Sequence, residues 1–334
     1  ANWEEFRRLE ELGLTTRSAC GHTLRNVMCS EDAGLGLDEP FDCFPDARLA
    51  SDTIVARSAE LNVVLPSRIN LAFGGSPRCR EDAPLNDAAF VSVVRGGRPG
   101  YELWAGGSLG RSPRLGVRLT EWVDRTEVLA AVEGIVDVFV EHGDFERPAK
   151  GRMKFALDAL GEHAFVAAWH AAFERALDRT HPAPPKVEVL APADRVSILS
   201  QLPPGGWSTG VRPQRAPGRA LVTVALPLGD TNGSELELLA DLAERHADGA
   251  LVLSRDQNVV LRDVAIADLP ATRRALAVRG LGLLGDDDVV DIRACTGAAV
   301  CAVGITDSPA MGRVLAELPS LRRADALRVW VSGC

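Results

Sequence analysis

Residues 294–309 read ACTGAAVCAVGITDSP, and residues 327–334 read LRVWVSGC. The first stretch sets Cys295 and Cys301 in a C-x5-C spacing, and the second ends in Cys334. Thiolates are soft ligands that suit soft, low-valent iron, so an iron–sulfur cluster is one use for such a set. Structural zinc is a second use, although zinc favours C-x2-4-C spacing and no histidine lies between residues 247 and 334. A third is simple packing, with cysteine buried as a small hydrophobe. Spacing alone leaves all three open.

The rest of the chain narrows the class. At 334 residues it is long enough for about two domains, because single cores rarely grow past roughly 250–300 residues. A 46% hydrophobic and 25% charged composition describes a globular protein. A net charge of −9 argues against a nucleic-acid binder, which needs a basic face to neutralise phosphates. No apolar run reaches the roughly 18 residues of a membrane span, and no stretch reads as a signal peptide. Seven cysteines, an odd number, then suggest reduced thiols and a cytoplasmic protein.

The periodicities predict an α+β architecture. Residues 3–12 read as a helix ending at Gly13, and 63–73 and 88–97 read as strand-like. Residues 100–116, GYELWAGGSLGRSPRLG, read as a strand entering a glycine-rich loop. That loop lacks the G-x-G-x-x-G spacing of a dinucleotide fingerprint, though glycine amides at Gly106 and Gly107 can cradle an anion. Within 124–143, Val128, Leu129, Val132, Ile135, Val136 and Phe139 share one helical face, and Gly143 suits a C-terminal cap. A further helix is expected over 152–178, followed by the break HPAPPK at 181–186, where a domain boundary is placed. Beyond it, 218–229 read as a strand, and 233–249 as a helix with a capping-box pattern at Ser234 and Glu237. Residues 250–264 look like two short strands around a polar turn, and 268–280 like a helix with Pro270 near its start.

With these elements in place, ACTGAAVCAVGITDSP followed by LRVWVSGC closely resembles the iron–sulfur half of the siroheme-dependent nitrite and sulfite reductases. In that family a C-x5-C pair and a later C-x3-C pair bind a four-iron four-sulfur cluster, and the last cysteine bridges to the siroheme iron. The resemblance implies that Cys295, Cys301 and Cys334 are the first three ligands. It also implies a chain truncated at both ends, with the fourth cysteine and an upstream arginine segment outside it.

The resemblance extends to other segments. GLTTRSACGHTLRNVMCS (13–30) resembles the family stretch whose arginine holds the anionic substrate, which assigns that role to Arg25. VLPSRINLAF (64–73) resembles a Leu-Pro-Arg-Lys stretch, which puts Arg68 on a substrate-contacting lysine and Asn70 on a second such site. LNDAAFVSV (85–93), WAGGSLGRSP (104–113), GRMKFALDALG (151–161) and SRDQNVVL (254–261) match segments around the siroheme. Siroheme contacts are thereby implied at Arg25, Asn26, Gly106, Gly107, Gln257 and Asn258. His22 stands where the family usually has Asp, and an arginine at 68 gives up a proton far less readily than a lysine. Cys20, Cys29, Cys43 and Cys79 show no ligand spacing and read as packing thiols.

The resemblance implies a siroheme-binding half-domain over 1–180, a ferredoxin-like half-domain over 181–280 and the start of a cluster-binding half-domain over 281–334. It implies six-electron reduction of nitrite to ammonia or of sulfite to sulfide, with ferredoxin or a flavoprotein as electron donor. Two other readings are a monooxygenase resembling precorrin-3B synthase and a non-catalytic iron–sulfur or tetrapyrrole-binding protein.

Overall fold

The computed structural model describes residues 3–14, 21–110, 112–286, 291–302, 304–318, 321 and 328–333; at Arg25 and Pro148 the description is of the backbone only. The chain divides into two compact units, one of residues 1–34 and 40–190, the other of 35–39 and 191–334.

The first unit contains α1 (Trp3–Glu11), β1 (Leu24–Cys29), α2 (Phe44–Ala56), α3 (Ser58–Val64), β2 (Ile69–Gly74) and α4 (Pro77–Asp82). It continues with β3 (Ala88–Arg95), β4 (Arg98–Ala105), β5 (Val117–Asp124), α5 (Val128–His142), α6 (Met153–Leu160) and α7 (Glu162–Leu177). Among the described residues its strands form one sheet in the order β1-β2-β3-β4-β5, parallel from β1 to β3 and antiparallel from β3 to β5. Period-2 alternation sends Ile69, Leu71 and Phe73 of β2 into the core, while Asn70 and Ala72 face the other way. Phe73 stacks on Phe90 at 4.5 Å, and the Tyr101 ring meets both edge-on. Each such fully buried side chain contributes about 2 kcal/mol of apolar burial.

Helix α5 is buried nearly all round, a wider face than its six-residue stripe predicts. The cause is α7, which packs on it so closely that a Cβ at Gly134 would sit 3.1 Å from the backbone of Phe173. One buried charge in this core is fully paired. Asp46 accepts from Arg125 at 2.6 and 2.7 Å and from the Tyr101 hydroxyl.

Several sequence expectations change. Val63 and Val64 close a helix instead of opening a strand; Leu65 precedes Pro66, takes an extended conformation and stops α3 there. The single helix expected over 152–178 is two, α6 and α7, broken at Gly161 with φ +78°. Gly143 does end α5, yet its φ is −77°; glycine is needed there because Pro66 and the Phe139 carbonyl leave no room for a Cβ.

The second unit holds α8 (Arg195–Leu199), β6 (Val211–Pro213), β7 (Arg219–Ala225), α9 (Gly233–His246), β8 (Leu251–Leu253) and β9 (Val259–Ala265). After these come α10 (Leu269–Ala277), β10 (Gly282–Leu283), β11 (Asp291–Ala294), α11 (Ser308–Ala316) and β12 (Arg328–Val331). The strand order β10-β7-β9-β8, with β6 added beside β7, makes an antiparallel sheet. Its apolar face, with Val222, Val224, Val259 and Leu261, shares one core with Leu239, Leu242 and Ala243 of α9 and Leu269 and Leu276 of α10. The capping box of α9 lies two residues earlier than expected: Asn232 accepts from the Glu235 amide at 3.1 Å, and Glu235 reaches back to the Asn232 amide at 3.2 Å. Strands β11 and β12 form a separate parallel pair beside α11.

Candidate functional site

In the first unit the predicted polar residues gather where β1, β2 and β3 begin. Leu24 pairs with Ile69 but Asn26 pairs with Asn70, so Arg25 is an extra residue and makes a β-bulge. Bulges in parallel pairs are rare and re-aim the chain. The Arg25 side chain lies outside the described residues. Asn26 is exposed, Arg68 is exposed just before β2, and Asn70 is half-buried as the register partner of Asn26.

The parallel register, Leu71 beside Ala88, also brings Asn70 beside Asp87. The Asp87 carboxylate, 1% exposed, accepts from the Asn70 backbone amide at 3.1 Å and from its side-chain Nδ2 at 2.9 Å. It also takes Nη2 of Arg152 at 2.8 Å on both oxygens. Arg152 is the residue before α6, and Lys154 in the helix's first turn is buried, donating Nζ to the Ser112 carbonyl at 2.8 Å. Burial, then the Arg152 charge, pull the Lys154 ammonium below its usual pKa.

The glycine loop closes over the same corner. Gly106 N–H donates to the Asp87 carbonyl and Gly107 N–H to the Asn86 carbonyl, both at 2.9 Å, so these two amides are engaged within the protein. A Cβ on Gly107 would collide with the Pro84 carbonyl, which is why glycine stands there. Ser108 and Arg114 pair across the loop, and Arg114 bonds Asp158. The Nε atoms of Arg114 and Arg152 are buried without a hydrogen-bond partner. Two orphaned guanidinium donors beside a buried lysine fit a ligand bearing carboxylates, as siroheme does. His22, by contrast, is held inside the fold: its Nδ1 lies 2.7 Å from the Leu65 carbonyl and its ring rests on Phe145.

In the second unit the cysteine loop starts where β11 ends. Cys295 N–H donates to the Val331 carbonyl of β12 at 3.1 Å, and Gly333 N–H, just past β12, donates to Cys295 Sγ at 3.1 Å. The loop turns back at Gly297, whose carbonyl accepts from Cys301 N–H at 2.8 Å. The Gly333 carbonyl takes the amides of Ile305 and Thr306. Gly297, Gly304 and Gly333 all touch backbone so closely that a Cβ would stand 2.7 Å from a neighbouring main-chain atom. Hydrogen bonds from Ser308, then from the Gly333 and Gly297 amides, lower the pKa of the Cys295 thiol. Cys295 is exposed and Cys301 half-buried.

Cys295 Sγ accepts the Gly333 amide and lies beside the Ser308 hydroxyl, surroundings that favour the deprotonated sulfur an iron ligand needs, so this part of the site fits a cluster ligand. Cys334 lies outside the described residues, although its neighbour Gly333 touches the loop. Among the described residues no three histidine, cysteine or acidic side chains come together as a metal cage.

Gln257 and Asn258 both engage the protein. Gln257, at φ +61°, donates Nε2 to the Ala294 carbonyl at 3.0 Å, directly ahead of Cys295. Asn258 accepts the Leu226 amide at 2.9 Å, and its own Nδ2 is buried without a partner. Arg293 is buried between Asp256 and Asp291, with its guanidinium 5.3 Å from the Trp330 ring centre. Of the other thiols, Cys29 and Cys43 touch at 3.6 Å and Cys79 lies by Ser30 and Ser76. Sequence reasoning missed Arg152, Lys154 and Ser308. Arg152 and Lys154 lie in the matched segment 151–161 but were not singled out within it, and the local signal at Ser308 is Asp307, which caps α11 at the start of a D-S-P helix.

Residues 20–177 match the family described as nitrite and sulphite reductase 4Fe-4S domain, and residues 212–279 match the nitrite/sulfite reductase ferredoxin-like half domain. A ferredoxin-dependent sulfite reductase of Mycolicibacterium paratuberculosis is 29% identical over 99% of this chain and 58% of its own length. A ferredoxin–nitrite reductase of Leptolyngbya laminosa is 28% identical over 98% of this chain and 62% of its own. The solved structure of the Mycobacterium tuberculosis NirA protein superposes with a TM-score of 0.74 and 27% identity, over 99% of this chain and 58% of that one. The chain thus spans less than two-thirds of the length of these relatives. Siroheme and a four-iron four-sulfur cluster are the cofactors of such reductases. Matched in order by both domain families and aligned over nearly all of its own length to these relatives, the chain has the α+β fold of the nitrite and sulfite reductases and belongs to that family.

Proposed function

We propose that this chain is the siroheme- and cluster-binding part of a cytoplasmic reductase that takes nitrite to ammonia or sulfite to sulfide in six electrons. Residues 1–180 would form the first siroheme-binding half-domain, 181–280 the ferredoxin-like half-domain, and 281–334 would open the second. Bound siroheme would supply an iron for the nitrogen or sulfur of the oxyanion, and the cluster would supply electrons one at a time. The observation that carries the reading is the Cys295 sulfur, exposed and fixed by an amide of the segment that leads to Cys334. Cys295, Cys301 and Cys334 would hold the cluster.

The remaining work falls to the first unit. Arg25 and Arg68 would neutralise the oxyanion and stabilise the charge that develops as oxygen leaves as water. Both stay protonated at any working pH, so they serve as electrostatic clamps and protons arrive by another route. Asn26 and Asn70 are register partners in this region, and Asn70 is a neutral donor already held by Asp87. Arg152 and Lys154 are the cations suited to siroheme carboxylates, with Gly106 and Gly107 shaping the loop beside them. Gln257 and Asn258 would support the cluster loop from the ferredoxin-like sheet. The donor would be ferredoxin, which the names of several relatives specify.

The test is turnover by the whole gene product loaded with siroheme. Reduced ferredoxin should be oxidised when nitrite or sulfite is added, and Arg25→Ala or Arg68→Ala should lower kcat/KM about 100-fold, the size of loss seen when an oxyanion donor is removed. A loaded protein that oxidises ferredoxin with neither anion overturns the reading in favour of a non-catalytic binder.

A further inference from the structure

Ser308 opens α11 and its side chain is completely buried. Its hydroxyl donates to the Cys295 carbonyl at 2.8 Å, and the same Oγ lies 3.2 Å from Cys295 Sγ, so two acceptors on one residue face a single proton. Free Cys295 could donate its own thiol proton to this hydroxyl. An iron-bound cysteine has no proton, so its anionic sulfur can only accept, and it competes with the carbonyl for the one hydroxyl proton. The Gly333 amide, 3.1 Å away, is a second donor to the same sulfur.

The space around the hydroxyl is shaped for this contact. A Cβ on Gly297 would stand 2.5 Å from Ser308 Oγ, and one on Gly333 would stand 3.2 Å from it. A side chain at either of the two glycines that frame the cysteine loop would press on the hydroxyl, so both positions leave room for it. The Gly333 amide belongs to the main chain and cannot be removed by mutation, whereas the Ser308 hydroxyl is a side-chain donor that can.

We propose that Ser308 raises the reduction potential of the cluster bound through Cys295, by donating its hydroxyl to the cysteine sulfur. The inference rests on the cluster reading given above. A donor at a ligating sulfur points the positive end of its dipole at the cluster. One-electron reduction adds negative charge there, so the donor stabilises the reduced state more than the oxidised one. Ser308 acts through Cys295 and is a positioning residue: it sets how readily the cluster accepts an electron.

The experiment is a potentiometric titration of the siroheme-loaded gene product, wild type against Ser308→Ala, read from the EPR signal of the reduced cluster. With iron and labile sulfide content unchanged, the midpoint should move to a more negative potential in Ser308→Ala, and Ser308→Thr, which restores a hydroxyl, should move it back. An unchanged midpoint in a fully loaded Ser308→Ala overturns the proposal and leaves the cluster reading standing. Wild-type protein gives a second test that needs no variant. Brief exposure to D2O labels the hydroxyl ahead of the hydrogen-bonded Gly333 amide, and pulsed EPR must then detect a deuteron coupled to the reduced cluster. Its absence overturns the proposal. Wild-type protein with siroheme but no labile sulfide overturns the cluster reading, and the Ser308 proposal falls with it.

Discussion

Asn70 binds Asp87 twice, through its backbone amide at 3.1 Å and its side-chain amide at 2.9 Å, and so fixes the one carboxylate that also holds Arg152. A side chain held this way is a rigid neutral donor. Asp87 in turn orients a guanidinium whose Nε still lacks a partner. The pair therefore organises the polar corner at the start of β1–β3.

Removing the carboxylate should be costly. Asp87→Ala leaves Arg152, only 21% exposed, without its counter-charge, and should destabilise the first unit by about 3 kcal/mol, as breaking a buried pair does. Asn70→Ala should cost about 1–2 kcal/mol, the worth of a hydrogen bond to a charged group. Urea unfolding of both single variants and the double variant should give non-additive losses, because the residues share one network.

The glycine loop makes a contrast within four residues. Gly107→Ala drives a methyl group into the Pro84 carbonyl, which is backbone and cannot rotate aside. Gly110, at φ +81°, faces open space, so Gly110→Ala carries only backbone strain of about 1 kcal/mol. Thermal unfolding should show a small drop in Tm for Gly110→Ala and a far larger one for Gly107→Ala.

Asp124 predicts an acid limb in the stability profile. Burial opposes its ionisation, but hydrogen bonds from the Thr126 hydroxyl and amide and the charge of Arg98 outweigh that and lower its pKa. The folded state thus binds the proton less tightly than the unfolded chain does. Its contribution is fully present above the ordinary value of 3.8 and is lost as pH falls through the lowered one. Asp124→Asn should be less stable than wild type at neutral pH, and the gap should close below pH 3.8 in urea titrations.

Gln257 ties the antiparallel sheet of the second unit to the residue before Cys295. Gln257→Ala should release the Ala294 carbonyl and loosen the loop while leaving the core of α9 and α10 intact. Hydrogen exchange should speed up at the amides of Cys295 and Cys301 and stay unchanged at Val222 and Val224, whose side chains are fully buried. Equal exchange in the loop of the two proteins would show that the contact does not restrain it.

The sequence was most legible where a local pattern had one outcome. The strand-like run at 88–97 became β3, and the 3.6-residue stripe at 128–139 became α5. It misled where two rules competed. Val63 and Val64 have strand propensity, but they complete a helical turn that only Pro66 stops. Cys295 and Cys301 stood out because C-x5-C is a local pattern, although spacing alone left their use open. Asp87 and Arg152 are 65 positions apart and meet only through the parallel register of β2 and β3 and the start of α6. Ser308 could not be read at all as a partner of Cys295, since a single hydroxyl has no spacing signature and the contact needs the loop to be folded.

The measurement that tests the account most directly is labile sulfide in cysteine variants of the siroheme-loaded gene product. Cys295→Ala and Cys301→Ala should lose the sulfide and the reduced-cluster EPR signal, whereas Cys29→Ala, Cys43→Ala and Cys79→Ala should keep both. Full sulfide content in Cys295→Ala, with loss in a variant of Cys29, Cys43 or Cys79, would contradict the account and move the cluster to the first unit.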